Sequence, residues 1–265
     1  MPHPGPPPAR LAAMQGQRAG GAAETHLVLI PSYNTGAKLF ETVAEARRQW
    51  QPIWVVIDGS TDGTGEALAE FSRHDAELRV LFRERNGGKG AAVLDGLRVA
   101  KADGFSHVLV MDADGQHPAA SIPAFIGMSR RHPDAMVLGV PVFDRDAPLL
   151  RVVGRRVSNA LARVETRGAI GDSLLGFRVY PLSALLAVMN AARAMRGYDF
   201  DAEAAVRLCW QGVRAINLPA PVRYFSAREG GISHFRYGRD NLVLAAMHAR
   251  LMAQCLACRI RSSRH

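Results

Sequence analysis

Five short apolar runs separated by amphipathic stretches constrain this chain more than any other feature. Residues 26–30, 53–57, 78–82, 107–111 and 135–140 are dense in Val, Leu and Ile, as strands buried on both faces must be. Between them, apolar residues recur at helical spacing over 37–49, 63–73, 88–102 and 118–131, with Pro118 suited to a first helical turn. Strand and helix in regular succession build an α/β fold, a mostly parallel central sheet flanked by helices. The 265 residues, 48% of them hydrophobic, suffice for one large domain with a real core.

Past residue 140 the rhythm changes. A helix is expected over 149–165, then the Gly-rich segment GAIGDSLLGFRVYP, helices over 182–191 and 201–211, and a strand pair over 213–218 and 222–225. The loop SAREGGISHFRYGRD leads to a last helix over 241–259. Residues 1–25 are rich in Pro, Gly and Ala and lack the continuous apolar stretch of a signal peptide, so they are expected to be a disordered leader. The organisation expected is leader 1–25, catalytic domain 26–240, and an amphipathic helix with a basic tail over 241–265.

In open α/β sheets, ligands bind beyond the carboxyl ends of the strands. Three strand ends here carry functional groups: Pro31-Ser32-Tyr33-Asn34, Asp58-Gly59-Ser60-Thr61-Asp62, and Asp112-Ala113-Asp114-Gly115-Gln116-His117. Asp112 and Asp114 can point oxygens at one hard divalent cation, Mg²⁺ or Mn²⁺, with Gln116 as a third donor. Such an ion would neutralise the charge growing on a departing diphosphate. Solvated acids in a turn account equally well for an isolated D-x-D, and it is the convergence of three strand ends that favours a site. Asp58 can accept from a base or ribose, while Asp62 or Thr61 can cap the next helix. In RERNGGKGAAVLDGL, three glycines allow close backbone approach and Lys89 brings a cation to a helix N-terminus. Neither the Walker spacing nor G-x-G-x-x-G in a dinucleotide-binding context occurs.

Taken in order, these motifs resemble glycosyltransferases of family 2 with the GT-A fold, in particular the branch containing dolichyl-phosphate mannose synthase and bacterial polyprenyl-phosphate glycosyltransferases. The resemblance spans roughly residues 26–241. It implies a nucleotide-diphosphate sugar donor held by Pro31, Tyr33, Asn34, Asp58, Arg85, Lys89 and Asp112, and a metal on Asp112, Asp114 and Gln116. GDSLLGFRVYP is similar to the branch's D-x-T-S-G-F-R segment, implying Asp172 and Arg178 near the reacting groups, and REGGISHF implies phosphate contacts from Arg228, Ser233 and His234. Three positions depart from the pattern. Ile57 replaces the first of two usual aspartates, Leu174 and Leu175 stand where Thr and Ser are usual, and His234 stands in place of Lys. They bear on base preference and acceptor identity rather than on the reaction.

Family members of this type invert the anomeric centre, which implies a single displacement. A hydroxyl acceptor needs a positioned carboxylate as base, for which Asp172, Asp199, Asp201 and Glu203 are candidates; acids at 199–203 also suit a helix N-terminus without any catalytic role. A lipid phosphate, with its second pKa near 6 by analogy with phosphorylated side chains, needs cations instead, and Arg178, Arg228 and His234 would serve.

The net charge is +9, and from residue 223 onward eight arginines face only Glu229 and Asp240. That charge suits an anionic partner. A lipid-phosphate acceptor with peripheral membrane contact fits better than nucleic acid, because a non-catalytic binder would not explain acids and amides gathered at strand tips. In the last helix Leu242, Ala245, Ala249, Met252, Leu256 and Ile260 form an apolar stripe beside arginines. It suits a bilayer interface or docking on the domain equally. A sugar nucleotidyltransferase shares the layout and the metal requirement, but its Gly-rich N-terminal nucleotide loop is absent from LVLIPSYN. Cys209, Cys255 and Cys258 form no disulfide framework. The expected place is the cytoplasm, with peripheral attachment to the cytoplasmic face of the inner membrane.

Overall fold

Along β2 (His26–Ser32) all seven side chains are buried, and the two-residue repeat of a strand sends them to opposite faces of the sheet. Leu27 and Leu29 enter one apolar cluster, Val28 and Ile30 another. The same division holds in β3 (Ile53–Asp58), where Trp54 and Val56 face one way and Val55 and Ile57 the other. A strand that must satisfy two cores cannot alternate polar with apolar, which is why these segments read as continuous Val/Leu/Ile runs.

The computed structural model describes residues 12–13, 25–143, 149–192, 194–223 and 237–262. The remaining strands are β1 (Ala12–Ala13), β4 (Leu78–Arg83), β5 (His107–Val110), β6 (Ala135–Phe143), β7 (Arg178–Pro181) and β8 (Arg214–Val222). They form one sheet in the order β1-β4-β3-β2-β5-β7-β6-β8. Only β1 and β7 run against the rest. The helices are α1 (Lys38–Gln49), α2 (Thr64–Ser72), α3 (Lys89–Ala102), α4 (Ile122–Arg131), α5 (Leu149–Thr166), α6 (Leu182–Ala191), α7 (Phe200–Trp210) and α8 (Tyr237–Ser262). Helices α1, α2 and α4 cover one face of the sheet; α3, α5, α6, α7 and α8 give side chains to the core on the other.

Several expectations are corrected. Ala12 and Ala13, in the segment expected as a disordered leader, pair antiparallel with Phe82 and Leu81 at the sheet edge. Strand β7 was not expected at all, and the strand pair expected after residue 213 is one nine-residue strand parallel to β6; residues 224–225 lie outside the described residues. Pro118 is extended, ahead of a short 3₁₀ turn, and Pro123 takes the place in the first turn of α4.

Helix α8, for which the sequence left docking on the domain and a bilayer interface equally open, docks: Leu244, Met247 and Leu251 belong to the core. The stripe read from the sequence is the opposite side of this helix: Leu242, Ala245, Ala249 and Leu256 are exposed. Helix α8 therefore carries two apolar faces, one docked and one bare. Among the described residues no helix is long and apolar enough to cross a membrane.

Candidate active site

The parallel strands β3, β2 and β5 deliver the three motifs to one end of the sheet. Pro31 is buried in β2 opposite Val56, with Tyr33 and Asn34 just beyond the strand. Asn34 adopts φ 45°, a left-handed conformation that Asn tolerates better than most residues. It joins the first two motifs: its N–H donates to Ser60 Oγ at 3.0 Å, and its Oδ1 accepts from the Thr61 N–H at 2.7 Å. Asp62, expected as a helix cap, stands one residue before the N-cap Gly63 and accepts from the N–H and hydroxyl of Thr64 and from the Gly36 N–H.

Asp58 does something the sequence did not signal. Buried at the end of β3, its carboxylate accepts the N–H groups of Gly87 at 3.0 Å and Gly88 at 2.8 Å, and pairs with Arg83. Arg83 also donates to Asp95 at 2.7 Å. The glycine-rich loop is thereby pinned, and two of the three glycines expected to approach a ligand, Gly87 and Gly88, give their amides to Asp58. Gly59 is required at this junction: it has φ +64°, and a Cβ there would lie 2.5 Å from the Asn86 amide nitrogen. Arg85, expected beside the nucleotide, is exposed.

Lys89 opens α3 and turns inward. Its Nζ lies 2.5 Å from Asp112 Oδ1 and 2.6 Å from Asp201 Oδ2. Burial pulls the ammonium down, but the two carboxylates outweigh it and hold Lys89 above the ordinary lysine value. Burial likewise pushes Asp112 up, while the Lys89 charge more than reverses this and leaves Asp112 below the usual carboxylate range. Asp114 goes the other way: burial first, then the Asp112 charge, raises it. Gly176 closes the group from above, since a Cβ there would press on Lys89 Nζ and come within 2.7 Å of Asp112 Oδ2. The backbone N–H of Asp112 donates to His117 Nδ1 at 3.0 Å; this fixes the Nε2–H tautomer, whose Nε2 faces Asp112 Oδ2 at 3.6 Å.

Whether this set suits a divalent ion turns on its oxygens. Asp114 Oδ1 accepts from the Gln116 N–H at 3.0 Å, while no described residue donates to Oδ2. Lys89 pairs with Asp112 and Asp201 but not with Asp114, so the Asp112 charge and burial raise Asp114, a strain that an added cation would relieve. Among the described residues no three His, Cys, Asp or Glu side chains enclose a metal position. The pair thus fits an ion that takes its other ligands from water and a diphosphate.

The residues expected to catalyse or to hold phosphate mostly hold the protein itself. Asp172 Oδ1 accepts from Arg155 at 2.6 Å, Leu174 N–H at 3.0 Å and Leu175 N–H at 2.7 Å; Oδ2 accepts from Asn159 at 2.9 Å. Burial raises it, but Arg155 and Asn159 prevail and hold it below the usual range. Arg178 is wholly buried, and its guanidinium serves the carbonyls of Leu175, Asp172 and Asp201 together with the Tyr180 hydroxyl. In this arrangement it does not reach a phosphate. Asp199 caps its own loop through the N–H groups of Met195 and Gly197, and Glu203 pairs with Arg207 and Arg250. Asp201 differs: its Oδ1 is buried without a hydrogen-bond partner. Arg228, Ser233 and His234 lie outside the described residues.

Sequence reasoning missed Arg83, Gly176 and Tyr198. The Tyr198 phenol is pushed up to about 12, by burial first and by the Asp112 charge second. A lone tyrosine between a glycine and an aspartate carries no sequence signal of such a role.

The chain is 28% identical over 238 residues to polyprenol monophosphomannose synthase of Mycolicibacterium smegmatis, covering 83% of this chain and 88% of that protein. It is 27% identical over 227 residues to undecaprenyl-phosphate mannosyltransferase of Micrococcus luteus, covering 80% and 88%. Among solved structures, glucosyl-3-phosphoglycerate synthase of Mycobacterium tuberculosis, crystallised with Mn²⁺, UDP-glucose and phosphoglyceric acid, superposes with a TM-score of 0.61 at 21% identity, covering 88% of this chain and 80% of that one. That likeness shows the GT-A fold. The profile described as glycosyl transferase family 2 matches residues 27–206, and the chain belongs to that family.

Proposed function

We propose that this glycosyltransferase moves a sugar, with inversion, from a nucleotide-diphosphate sugar to a polyprenyl phosphate. The observation that carries the choice of acceptor is the commitment of the candidate bases. Asp172 and Asp199 are occupied by internal donors, Glu203 by two arginines, and Asp201 by Lys89 on one oxygen. A hydroxyl acceptor would need one of them as general base; a phosphate is already ionised and does not. Both curated relatives are named for polyprenyl-phosphate chemistry, in line with this reading.

The donor's diphosphate would meet Asp112 and Asp114 through Mg²⁺ or Mn²⁺, which supplies neutralisation of charge on the departing nucleoside diphosphate when bound. Lys89 contributes a fixed cation beside the same carboxylate. Tyr33, Asn34 and the Asp58–Gly59 turn border the place for base and ribose, with Asp58 acting through the loop it anchors. Arg228, Ser233 and His234 are the proposed contacts for the lipid phosphate. The bare face of α8, with Leu242 72% and Leu256 53% exposed, would rest on the bilayer. On this reading the enzyme would work as a peripheral protein at the cytoplasmic face of the inner membrane.

The test is transfer from UDP- and GDP-sugars with Mn²⁺ onto undecaprenyl phosphate or onto the matching free polyprenol. The expected product is a phosphate-linked glycolipid formed only from the former. Transfer to the alcohol, or to a glycan hydroxyl, with none to the phosphate would overturn the acceptor assignment and point to Asp201 as the base.

A further inference from the structure

Away from the carboxylate pair, six side chains, five of them buried and Asn159 half-buried, form an unbroken line from α8 to the active-site loop. His248 Nδ1 lies 2.9 Å from Glu165 Oε1, and its Nε2 lies 2.8 Å from Ser158 Oγ. Ser158 Oγ is 2.9 Å from Ser173 Oγ, which donates to Asn159 Oδ1 at 2.8 Å. Asn159 Nδ2 donates to Asp172 Oδ2 at 2.9 Å. Glu165, Ser158, Ser173, Asp172 and His248 are all at most 5% exposed.

The direction of the protons follows from which atoms can only accept. Asn159 Oδ1 takes both the N–H and the hydroxyl of Ser173, so the Ser173 oxygen has no proton left for Ser158 and must accept from it. Ser158, having given its proton to Ser173, must accept from His248 Nε2–H. One further proton is shared between His248 Nδ1 and Glu165 Oε1. Glu165, His248 and Ser158 thus stand in the order of a hydrolytic triad, but the serine proton points away from the imidazole. The serine is also sealed in the core, so the arrangement cannot act as a nucleophile.

What the line does reach is the Asp172–Gly176 loop. Asp172 and Asn159 together hold the amides of Ser173, Leu174 and Leu175, and Gly176 at the end of that loop sits so near Lys89 and Asp112 that a Cβ there would collide with both side chains. The geometry points to His248 as a positioning residue for glycosyl transfer. From α8 it sets, through Ser158, Ser173 and Asn159, the seat of the Asp172–Gly176 loop against the Lys89–Asp112 pair. The catalytic half of this statement rests on the donor site proposed above; the coupling itself does not. The helix whose outer face is bare thereby has its inner face tied to the reacting centre.

The experiment is hydrogen–deuterium exchange on the full chain without ligands, comparing His248→Leu, His248→Gln and Ser158→Ala. The glutamine Nε2 can replace the imidazole donor to Ser158, whereas leucine cannot. The expected result is selective acceleration at the amides of residues 173–175 in His248→Leu and Ser158→Ala, relative to β2 amides, with His248→Gln close to the unaltered protein. With a nucleotide sugar and undecaprenyl phosphate, kcat is expected to fall about tenfold in the first two variants, with recovery in His248→Gln. Ser158→Ala leaves α8 seated, so it decides the matter if His248→Leu does not fold. Unchanged exchange at 173–175 in Ser158→Ala, or a His248→Gln protein as disturbed as His248→Leu, would overturn the proposal. Selective exchange without any transfer to lipid phosphate would instead sink the acceptor assignment alone.

Discussion

Lys89 Nζ stands 2.5 Å from Asp112 Oδ1, so the first aspartate of the D-x-D segment already has a protein cation beside it. The same ammonium serves Asp201, and its removal leaves the buried Asp201 and the half-buried Asp112 without their counter-charge. Breaking a buried pair by deleting one partner costs about 3–5 kcal/mol. Lys89→Met is therefore expected to lower the unfolding midpoint sharply, and millimolar Mn²⁺ to restore more stability to the variant than it adds to the unaltered protein. Thermal unfolding with and without the metal measures this, and equal metal effects in both would contradict the charge argument.

Asp114 has the free oxygen and the raised carboxyl. Asp114→Asn relieves the like-charge strain, so the unliganded protein should be no less stable, yet Mn²⁺-dependent protection by a nucleotide sugar should vanish. Turnover is expected to drop about 10²-fold or more, in the range seen when one charge-stabilising group is lost. Full metal-dependent protection in this variant would remove the basis for the metal site.

Gly176→Ala places a methyl group against Lys89 and within 2.7 Å of Asp112 Oδ2. Both contacts are side-chain ends that can shift, so the stability cost should be small, about 1–3 kcal/mol as for other overpacked sites. The loss should appear instead in donor binding, read as weaker metal-dependent thermal protection by a nucleotide sugar. A variant that binds donor normally would show that the Lys89–Asp112 spacing is not needed.

The Asp172 carboxyl is depressed in the folded chain by Arg155 and Asn159 against burial. A depressed acid contributes stability that is present above its unfolded value, about 3.9, and lost as pH falls through the folded one. The stability gap between the unaltered protein and Asp172→Asn should thus be widest near neutrality and narrow below about pH 4. Denaturant titrations at pH 7 and pH 3.5 would check it; a gap that widens in acid would reverse the sign assigned here.

The parallel half of the sheet was legible because a strand buried on both faces has no choice but an apolar run, and 53–57 or 107–111 can be little else. The strand β7 was not legible: four residues beginning with Arg178 give no period to detect, and the arginine reads as polar although it is wholly buried. The site shows the same asymmetry. The positions of Asp112, Asp114 and Lys89 follow from strand ends and a helix start. An acidic or basic letter, however, does not say whether its charge faces a ligand or the backbone of its own chain. Asp58, Asp172 and Arg178 were read as ligand contacts, and each is occupied by internal amides, carbonyls or an ion pair. Helix α8 failed differently: apolar residues surround much of it, so spacing alone could not tell the docked side from the bare one.

The docking of Leu244, Met247 and Leu251 has a practical corollary for anyone shortening this protein. A truncation at residue 240, drawn where the recognisable motifs end, would uncover an apolar floor over α5 and α7. It would also strand the Glu165 carboxylate, since among the described residues His248 alone meets Oε1 and no donor meets Oε2. Such a fragment is expected in the insoluble fraction, and expression trials should keep the last helix whole.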